Sequence, residues 1–544
     1  MIPQAAHPQD RVFLSAIIKQ FPFRFRPHMA TAYTSSFKQL GRRRSNLKMI
    51  ALSERINEKT GNMRLTSQDS EIVEKARNLS KSLALTYNTV GLPGMIDSAL
   101  IRLKSEYFPA IEADEPNYEQ RVAARLACEK WWRRALRKQL GRTIEGVGRD
   151  INLVNKKSGI YATDETVKRR ADQKARNRAI LEEINAVNEL GASFTLQELS
   201  DLSVSNPAIR RGELMTRISG FTSYAESRGD VGEFWTATTP SRFHSCLSKT
   251  GKVNPKFDGS TPRDGQQWLA KVWSLTRAEY ARKDIGVYGF RVVEPHQDGT
   301  PHWHLLLFMA PEQREQARAI FQGYLLADDG HEAGAAKYRF KAVKMAAGGA
   351  AGYIAKYISK NIDGHGIERD LFETPAQHAA ARIDSWAAAS GIRQFQQIGG
   401  HSVTVWRELR RLTDEQVDKN IHEHWAAADA GCWCAYLQAM DKRKVTLAKV
   451  LDESLGQYGE EKGEKIFGVS LKDIVYVTRI HEWTITQSEA PWSPVNNCTE
   501  AKKEYDRQTE IIINSTGAGD EKYGGERKKI AFLAESGGGR DVGR

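Results

Sequence analysis

The 544-residue sequence has few of the features that mark secreted or membrane-spanning proteins. Its five cysteines are odd in number and scattered (Cys128, Cys246, Cys432, Cys434, Cys498), so a reduced cytosolic protein is the simplest interpretation. No apolar run approaches the roughly 20 residues that cross a bilayer, and the N-terminus has no secretory signal. These absences predict a cytosolic protein without a membrane partner, and its length allows several domains.

Two nucleotide- or metal-binding patterns are also missing. No Gly-x-x-x-x-Gly-Lys-[Ser/Thr] loop occurs, since Gly251-Lys252 is followed by Val253, so a helicase motor is not expected. Cys432-Trp-Cys434 lacks the Cys-x-x-Cys spacing of zinc sites. His422 and His424 fall in a predicted helix, where residues two apart point about 200° around the axis. We interpret the pair His422 and His424 and the pair Cys432 and Cys434 as structural.

The charge is uneven along the chain. Lys and Arg number 80 against 67 Asp and Glu, a formal net charge of +13, and residues 121–180 hold 17 basic and 6 acidic residues. This concentration favours a nucleic-acid partner. We therefore predict a basic, mostly helical DNA-contact region at 116–228, with helices over Gln120–Leu140 (anchored by Trp131 and Trp132) and Asp164–Asn188. Residues 1–115 are predicted to be helical, with no role assigned.

The pattern changes in residues 229–411. Strands at 234–238, 287–294, 302–309 and 337–343 alternate with helices at 266–283 and 311–327, and a further helix covers 346–361. This β-α-β-β-α-β order predicts an α+β fold: a ferredoxin-like antiparallel sheet with helices on one face and the metal-facing residues on the other. Residues 402–406 are a candidate fifth strand. Residues 412–499 are predicted to be helical, and 500–544 to be a disordered tail.

The stretch 294–309 carries the first chemical element. It is predicted as a strand, a turn at Asp298-Gly299 and a second strand that begins His302-Trp303-His304. Alternate side chains of a strand share a face, so His302 and His304 point one way and Trp303 the other. The turn brings Glu294 beside them. Two imidazoles and a carboxylate can hold a divalent metal and leave coordination positions open for substrate.

The second chemical element is the helix that contains Tyr353 and Tyr357. Four residues apart, they lie on one helix face with Cβ atoms about 5–6 Å apart. Each is followed three residues later by a lysine, Lys356 and Lys360 respectively. A phenol attacks a phosphodiester once deprotonated, and with an ordinary pKa of about 10 it needs a metal or cations nearby.

Together these segments resemble the HUH endonucleases, and more closely the bacteriophage replication gene A protein family of rolling-circle initiators with two tyrosines. The resemblance covers roughly residues 110–430. It is carried by HWHLLLF (302–308), YIAKYISK (353–360), WWRRALRK (131–138), FWTATTPSRFH (234–244) and VTVWRELRR (403–411).

The resemblance implies a site-specific endonuclease that nicks a phage replication origin. His302, His304 and Glu294 would be ligands of Mg²⁺ or Mn²⁺, although His296 or Asp298 could replace Glu294. One tyrosine would attack, leaving a free 3′-OH for the host polymerase and a 5′-phosphotyrosyl link, and the second would act when the displaced strand is rejoined. Lys356 and Lys360 would hold phosphate or metal-bound water, and a host helicase would open the duplex.

Three alternatives remain open at the level of sequence. A two-tyrosine transposase would use the same chemistry, whereas conjugative relaxases carry their tyrosine ahead of the histidines. A non-catalytic DNA-binding protein would use the His and Tyr residues for packing. An iron oxygenase with two histidines and one carboxylate is disfavoured by the basic charge and the paired Tyr-x-x-Lys.

Overall fold

The structure is a computed structural model that describes residues 6–103, 117–345, 349–366, 375–487 and 529–530. The chain has a mixed α+β fold with antiparallel sheets, which confirms the predicted class at that level. Its first half contains the helices α1 (Arg11–Lys19), α2 (Arg26–Thr60), α3 (Asp69–Leu103), α4 (Tyr118–Leu126), α5 (Glu129–Asp150), α6 (Asp164–Glu182), α7 (Leu196–Asp201) and α8 (Pro207–Arg228).

Helices α1 to α5 share one apolar core. Along α5, Trp132, Leu136, Leu140 and Ile144 recur every fourth residue and are buried, as the helical period requires. Trp132 anchors the helix as predicted, whereas Trp131 is only partly buried against the same core. The predicted single helix over Gln120–Leu140 is instead two helices, α4 and α5, separated at residues 127–128.

The second basic helix is shorter than predicted. Helix α6 ends at Glu182, and Ile184–Asn188 form a strand, β1, rather than its last turns. Strand β1 pairs with β2 (Ser193–Thr195) on one side and with β11 (Trp483–Gln487) on the other. The partner strand β11 lies almost 300 residues away in sequence, so a long-range pairing overrides the local helical pattern.

A five-stranded antiparallel sheet follows, in the spatial order β6-β3-β5-β4-β7. Its strands are β3 (Val231–Thr238), β4 (Tyr288–Pro295), β5 (Pro301–Met309), β6 (Phe340–Lys344) and β7 (Phe395–Ile398). The helices between them are α9 (Pro262–Arg282), α10 (Arg314–Leu326), the short α11 (Ala335–Tyr338), α12 (Gly349–Ile362) and α13 (Ala376–Ser390).

Both faces of this sheet carry helices. Helices α9, α10 and α13 pack on the face that contains Trp235 and Trp303. The opposite face, with Phe234 and Phe290, packs against α8 and α12 and against the helices after β7. The prediction of helices on one face only was therefore wrong, because the added segments on either side of the β-α-β-β-α-β unit cover the second apolar face.

The chain after β7 differs most from the prediction. Residues Val403–Leu409 form helix α14, not a fifth strand, because the Ser402 side chain accepts a hydrogen bond from the Val405 N–H and caps a helix. The fifth strand of the sheet is β7 instead.

The prediction of a helical region over 412–499 was also wrong for much of its length. After α15 (His422–Asp429) and α16 (Trp433–Lys442), the chain forms β8 (Thr446–Leu455), β9 (Glu461–Leu471), β10 (Ile474–Val477) and β11. The many lysines and glutamates of β8 and β9 lie on exposed positions of a three-stranded sheet, where charge is tolerated in either conformation. Of the predicted disordered tail, only strand β12 (Lys529–Ile530) is described; the remaining residues of 500–544 lie outside the described part.

The turn between β8 and β9 packs on the N-terminal helices. The Tyr458 hydroxyl lies 3.5 Å from Cys128 Sγ and accepts a hydrogen bond from Arg134 Nη2 at 2.9 Å. The Arg125 guanidinium sits 5.0 Å above the Tyr458 ring. The turn between β8 and β9 therefore packs against α4 and α5. No helix of the described residues combines the length and apolarity needed to cross a bilayer.

Candidate metal centre and tyrosine helix

The hairpin register places the predicted ligands together. Strands β4 and β5 pair so that Glu294 lies directly opposite His302, and the connecting turn falls at Asp298-Gly299 as predicted. Gly299 has a φ of 78°, and a Cβ there would lie 3.0 Å from the Tyr161 carbonyl oxygen. Glycine therefore allows both the turn and the close approach of the preceding chain. Trp303 points into the opposite core, as the alternation predicts.

Glu294, His302 and His304 form a group whose candidate ligand atoms all lie within 4.8 Å of one another. The Glu294 Oε2 atom is 3.9 Å from His302 Nε2 and 3.6 Å from His304 Nε2. Around an ion with bonds of about 2.1 Å, neighbouring ligand atoms lie roughly 3 Å apart. Small side-chain rotations would bring the three atoms to that spacing, so the residues fit a divalent metal.

Neighbouring side chains orient these ligands. The Thr236 hydroxyl lies 3.2 Å from His304 Nδ1, which leaves Nε2 of that ring to face Glu294. Asn361 donates a hydrogen bond to Glu294 Oε1, so that Oε2 is the oxygen presented to the imidazoles. Partners of this kind fix the tautomer and the orientation of metal ligands. Neither Thr236 nor Asn361 was identified from sequence, although each lies within or next to a segment that carries the resemblance.

The protonation states suit metal binding. Burial of the His302 imidazole lowers its pKa well below the ordinary value, so the ring is neutral near pH 7. Burial alone would raise the pKa of Glu294, but Lys360, His304 and Asn361 lower it to about 2. The site therefore offers a neutral imidazole and a charged carboxylate without first releasing protons.

The two alternative third ligands have other surroundings. The Asp298 carboxylate accepts hydrogen bonds from the Ser245 N–H at 2.9 Å and the Thr300 N–H at 3.1 Å, and lies 3.3 Å from His244 Nδ1. These hydrogen bonds hold the Asp298 carboxylate within the turn. The His296 ring stacks on His302 with 4.1 Å between ring centroids. Only Glu294 joins the two histidines in the ligand group found among the described residues.

Helix α12 brings the tyrosine segment to the same face. Ile354, Ile358 and Ile362 are buried against the sheet at helical spacing, which fixes the orientation of the helix. The Tyr357 ring lies 4.3 Å from the His304 ring and 5.2 Å from the Phe234 ring, centroid to centroid. One of the two predicted nucleophiles is therefore in contact with a predicted metal ligand. Tyr353 lies one turn earlier in α12, and its side chain is outside the described part.

The two predicted lysines have different positions. Lys360 Nζ lies 3.2 Å from Glu294 Oε2 and 5.6 Å from the centroid of the Tyr161 ring. Its ammonium group neutralises a buried carboxylate. Lys356 is exposed on the same helix, and the structure does not bring it into the ligand group.

The remaining His and Cys patterns have structural surroundings. His424 is buried, and its Nε2 atom lies 2.7 Å from the Arg443 carbonyl oxygen, whereas His422 is exposed. Cys432 and Cys434 are free thiols. Within the described residues, none of these four belongs to a potential metal-binding group.

Comparison with known proteins identifies the class. The family model described as bacteriophage replication gene A protein (GPA) matches residues 48–365. The chain therefore belongs to the bacteriophage replication gene A protein family, as the sequence motifs predicted. No solved structure matches.

Particular relatives are replication proteins of phages and prophages. The probable replication protein P12 of Pseudoalteromonas phage PM2 is 34% identical over 495 residues, which cover 85% of this chain and 76% of P12. The replication gene A protein of Escherichia phage P2 is 37% identical over 69% of this chain and 54% of its own length. A probable replication endonuclease from a prophage-like region of Salmonella typhimurium is 31% identical over 69% of this chain and 52% of its own length. The chain thus spans about half the length of the last two.

Proposed function

We propose that the protein is a metal-dependent, site-specific single-strand DNA endonuclease and strand transferase that initiates rolling-circle replication at a phage origin. The observation that carries the proposal is the contact between the Tyr357 ring and the His304 ring. His304 is one of the three residues of the candidate ligand group, with Glu294 and His302. This contact places a potential oxygen nucleophile beside a site for a divalent cation. The replication endonucleases among the relatives support the same activity.

The arrangement of the sheet supports an HUH endonuclease core of the ferredoxin-like type. Numbered along the β-α-β-β-α-β unit, the first four strands of the sheet lie in the spatial order fourth, first, third, second. The third strand thus separates two strands joined by a helical crossover, which is the split βαβ arrangement. Both histidines lie on that central strand, and β7 adds a fifth strand beside the second.

The donor set would take Mn²⁺ or Mg²⁺, and it favours Mn²⁺. Imidazole nitrogen is a softer ligand than the oxygens that Mg²⁺ prefers, and a site with two imidazoles binds later first-row metals more tightly. When bound, the metal supplies positive charge that polarises the scissile phosphate and balances its developing charge.

The side chains of the protein supply the nucleophile and its positioning. The phenol oxygen of one tyrosine loses its proton to solvent and forms a bond with phosphorus, and the bond between phosphorus and the 3′ oxygen breaks. The 3′ oxygen takes up a proton to become a free 3′-OH, and the 5′ phosphate stays on the tyrosine. Lys360, already beside Glu294, keeps the local charge balanced as the dianionic transition state forms.

Two tyrosines allow the reaction to be repeated without release of the DNA. The host polymerase extends the 3′-OH until the origin is copied again. The second tyrosine then cleaves the new junction, and the 3′-OH it releases attacks the first phosphotyrosyl bond, which restores that tyrosine and closes the displaced strand. Because Tyr353 and Tyr357 are one helical turn apart in α12, both belong to one centre. Lys356, exposed on this helix, would contact the phosphate backbone.

The other regions are assigned accordingly. The basic helices of residues 116–228 would contact DNA phosphates around the origin, the unit at 229–411 would cut, and a host helicase would open the duplex in the bacterial cytoplasm. These assignments extend the same proposal, and residues 1–115 are given no role.

The decisive experiment is nicking of supercoiled cognate phage DNA with Mn²⁺ or Mg²⁺, resolved on denaturing gels with and without protease. We expect a nick with protein attached to the 5′ end in the wild type. Tyr353→Phe and Tyr357→Phe would rank the nucleophiles, and the double variant would be inactive. A nick that persists in the double variant would assign cleavage to water. Tight DNA binding with no nick under any condition would identify a non-catalytic replication protein instead.

A further inference from the structure

A large cavity opens at the edge of the five-stranded sheet, outside the ligand group. Its volume is about 830 Å³, within the range of sites that enclose small ligands. It lies between the edge strand β7, the start of α8, and α14, with α6 and the end of α13 contributing to its wall. We call it the β7 groove.

The β7 groove adjoins the metal centre. Gln394, which lines the groove just before β7, donates a hydrogen bond to Asn361 Oδ1 at 3.4 Å. Asn361 in turn donates to Glu294, a predicted metal ligand. Two hydrogen bonds therefore connect the wall of the groove with the ligand group.

The lining is strongly cationic. Five guanidinium groups face only two carboxylates, Glu213 and Asp384; the five are Arg170, Arg210, Arg217, Arg393 and Arg407. Arg407 and Arg217 pair with Glu213, and Arg170 pairs with Asp384. Within the described residues, Arg210 and Arg393 form no ion pair with a carboxylate. The lining of the groove therefore carries an excess of positive charge.

A buried cation strengthens this conclusion. Arg217 is only 8% exposed, yet its Nε–H has no hydrogen-bond partner in the structure. The buried Nε–H of Arg210 also has none. Desolvation lowers the pKa of Arg217 to about 10, although Glu213, the Gln397 amide oxygen and the Phe290 ring all lie against its guanidinium. A buried cation of this kind adds to the positive potential of the groove, which favours an anionic ligand.

The edge strand adds an aromatic ring and amide side chains to the lining. Phe395 and Gln396 line the groove and are partly exposed, whereas Gln397 is already bonded to Arg217 and to the Gly399 and His401 carbonyl oxygens. An aromatic ring beside arginines is the combination that binds single strands, by stacking a base while guanidinium groups hold phosphates. Amide side chains hydrogen-bond to base edges.

We infer that the β7 groove binds the single DNA strand next to the scissile phosphate, with Arg210 and Arg393 on backbone phosphates and with Phe395 and Gln396 on bases. Because hydrogen bonds connect the wall of the groove with the proposed nicking centre, its assignment to the substrate strand rests on the proposed function. An acidic protein segment is the competing occupant, but it would leave the aromatic ring and the link to the metal centre unused.

The test is binding of a fluorescent 20-residue oligodeoxythymidylate to the full chain, measured by anisotropy in EDTA over a series of salt concentrations. All proteins carry Tyr353→Phe and Tyr357→Phe so that no cleavage occurs. We expect Arg210→Ala with Arg393→Ala to weaken binding about tenfold or more. The slope of log affinity against log salt should fall by about 1.4, since each phosphate contact on a single strand contributes about 0.7.

The matched control removes the same charge elsewhere. Arg282 and Lys283 are exposed at the end of α9, on the opposite face of the sheet, and both contact Glu279. Arg282→Ala with Lys283→Ala should leave affinity and salt slope close to those of the parent. Equal behaviour of the two double variants would overturn the inference. A polyglutamate peptide that loses affinity only in the groove variant, while DNA binding persists, would also overturn it in favour of an acidic partner.

Failure of the groove and failure of the proposed function give different results. Nicking is measured separately, in chains that retain both tyrosines. If the wild type nicks but the groove variant binds and nicks normally, the groove inference fails and the endonuclease stands. If the groove variant loses DNA binding while even the wild type does not nick, the groove stands as a binding site and the endonuclease fails.

Discussion

The two faces of the five-stranded sheet are made by the same strands yet differ in chemistry. On one face β5 contributes Trp303, Leu305 and Leu307, all fully buried in an apolar core. On the other, the same strand contributes His302 and His304 before it continues with Leu306 and Phe308. Along β5, the polar side chains are thus confined to one end of one face. The apolar face and the far end of the other face supply the packing that stabilises the sheet. The residues at the ligand end therefore contribute little to stability and can serve metal binding.

The largest expected effect comes from the polar face. His304→Ala removes a proposed metal ligand, and we expect nicking to fall about 10³-fold or more because several kcal/mol of transition-state charge stabilisation are lost. The unfolding midpoint should change by only a few degrees. Nicking rates and thermal unfolding check this, with the exposed His422→Ala as control. A loss of nicking that only follows a loss of folded protein would contradict the division between the faces.

The next effect belongs to the apolar face. Trp303→Ala should lower the free energy of unfolding by about 3–5 kcal/mol, because it leaves a cavity and removes the ring over which the Arg291 guanidinium sits at 4.1 Å. Urea unfolding measures the loss, and Trp303→Phe should lose less. Nicking per folded molecule at low temperature should stay within about threefold of the wild type. A selective loss of activity in fully folded Trp303→Ala would show that the faces are not independent.

Metal addition offers a third comparison. If Mn²⁺ binds the ligand group, a free Mn²⁺ concentration of 100 times the dissociation constant should stabilise the folded chain by about 2.7 kcal/mol. The same concentration of Mg²⁺ should stabilise it less. Thermal unfolding with each metal and with EDTA measures this. His302→Ala with His304→Ala should abolish the shift. An equal shift in that variant would place the metal elsewhere.

The smallest effect is expected from the residue that orients a ligand. Thr236→Val removes the hydroxyl beside His304 Nδ1 and should weaken metal binding about 10- to 100-fold, as measured by calorimetry. Thr236→Ser should retain most of the affinity. Thr238→Val is the matched control on the same strand, since its hydroxyl faces the Tyr338 carbonyl oxygen at 3.2 Å. Equal losses at both positions would argue against an orienting role for Thr236.

Sequence was sufficient for features that depend on short-range periodicity. The alternation along 302–309 placed His302 and His304 on one face and Trp303 on the other, and the Asp298-Gly299 turn made Glu294 the neighbour of His302. The grouping of these three residues is present in the structure, whereas their chemical roles and that of Tyr353 remain predictions.

Most errors arose where distant segments decide the outcome. Residues 184–188 are a strand because β11 pairs with them. The error at residues 403–409 was local, since the neighbouring Ser402 caps a helix there. The polar strands β8 and β9 show little alternation of apolar and polar residues, and they are strands because they pair with each other. Thr236 and Asn361 could be found only from contacts across the sheet, since nothing in their local sequence distinguishes them from other polar residues.

The packing of Tyr458 on Cys128 has a consequence for how the protein is made. These two residues are 330 positions apart in the sequence, and β1 is separated from its partner β11 by a similar number of residues. At about 5–20 residues per second on the ribosome, roughly 15 to 70 s pass between their synthesis. During that time the surface of α4 and α5 that receives Tyr458 stays open to solvent. The last steps of folding should therefore wait until the β8-β9 hairpin and β11 have been synthesised, when they pack on helices completed long before.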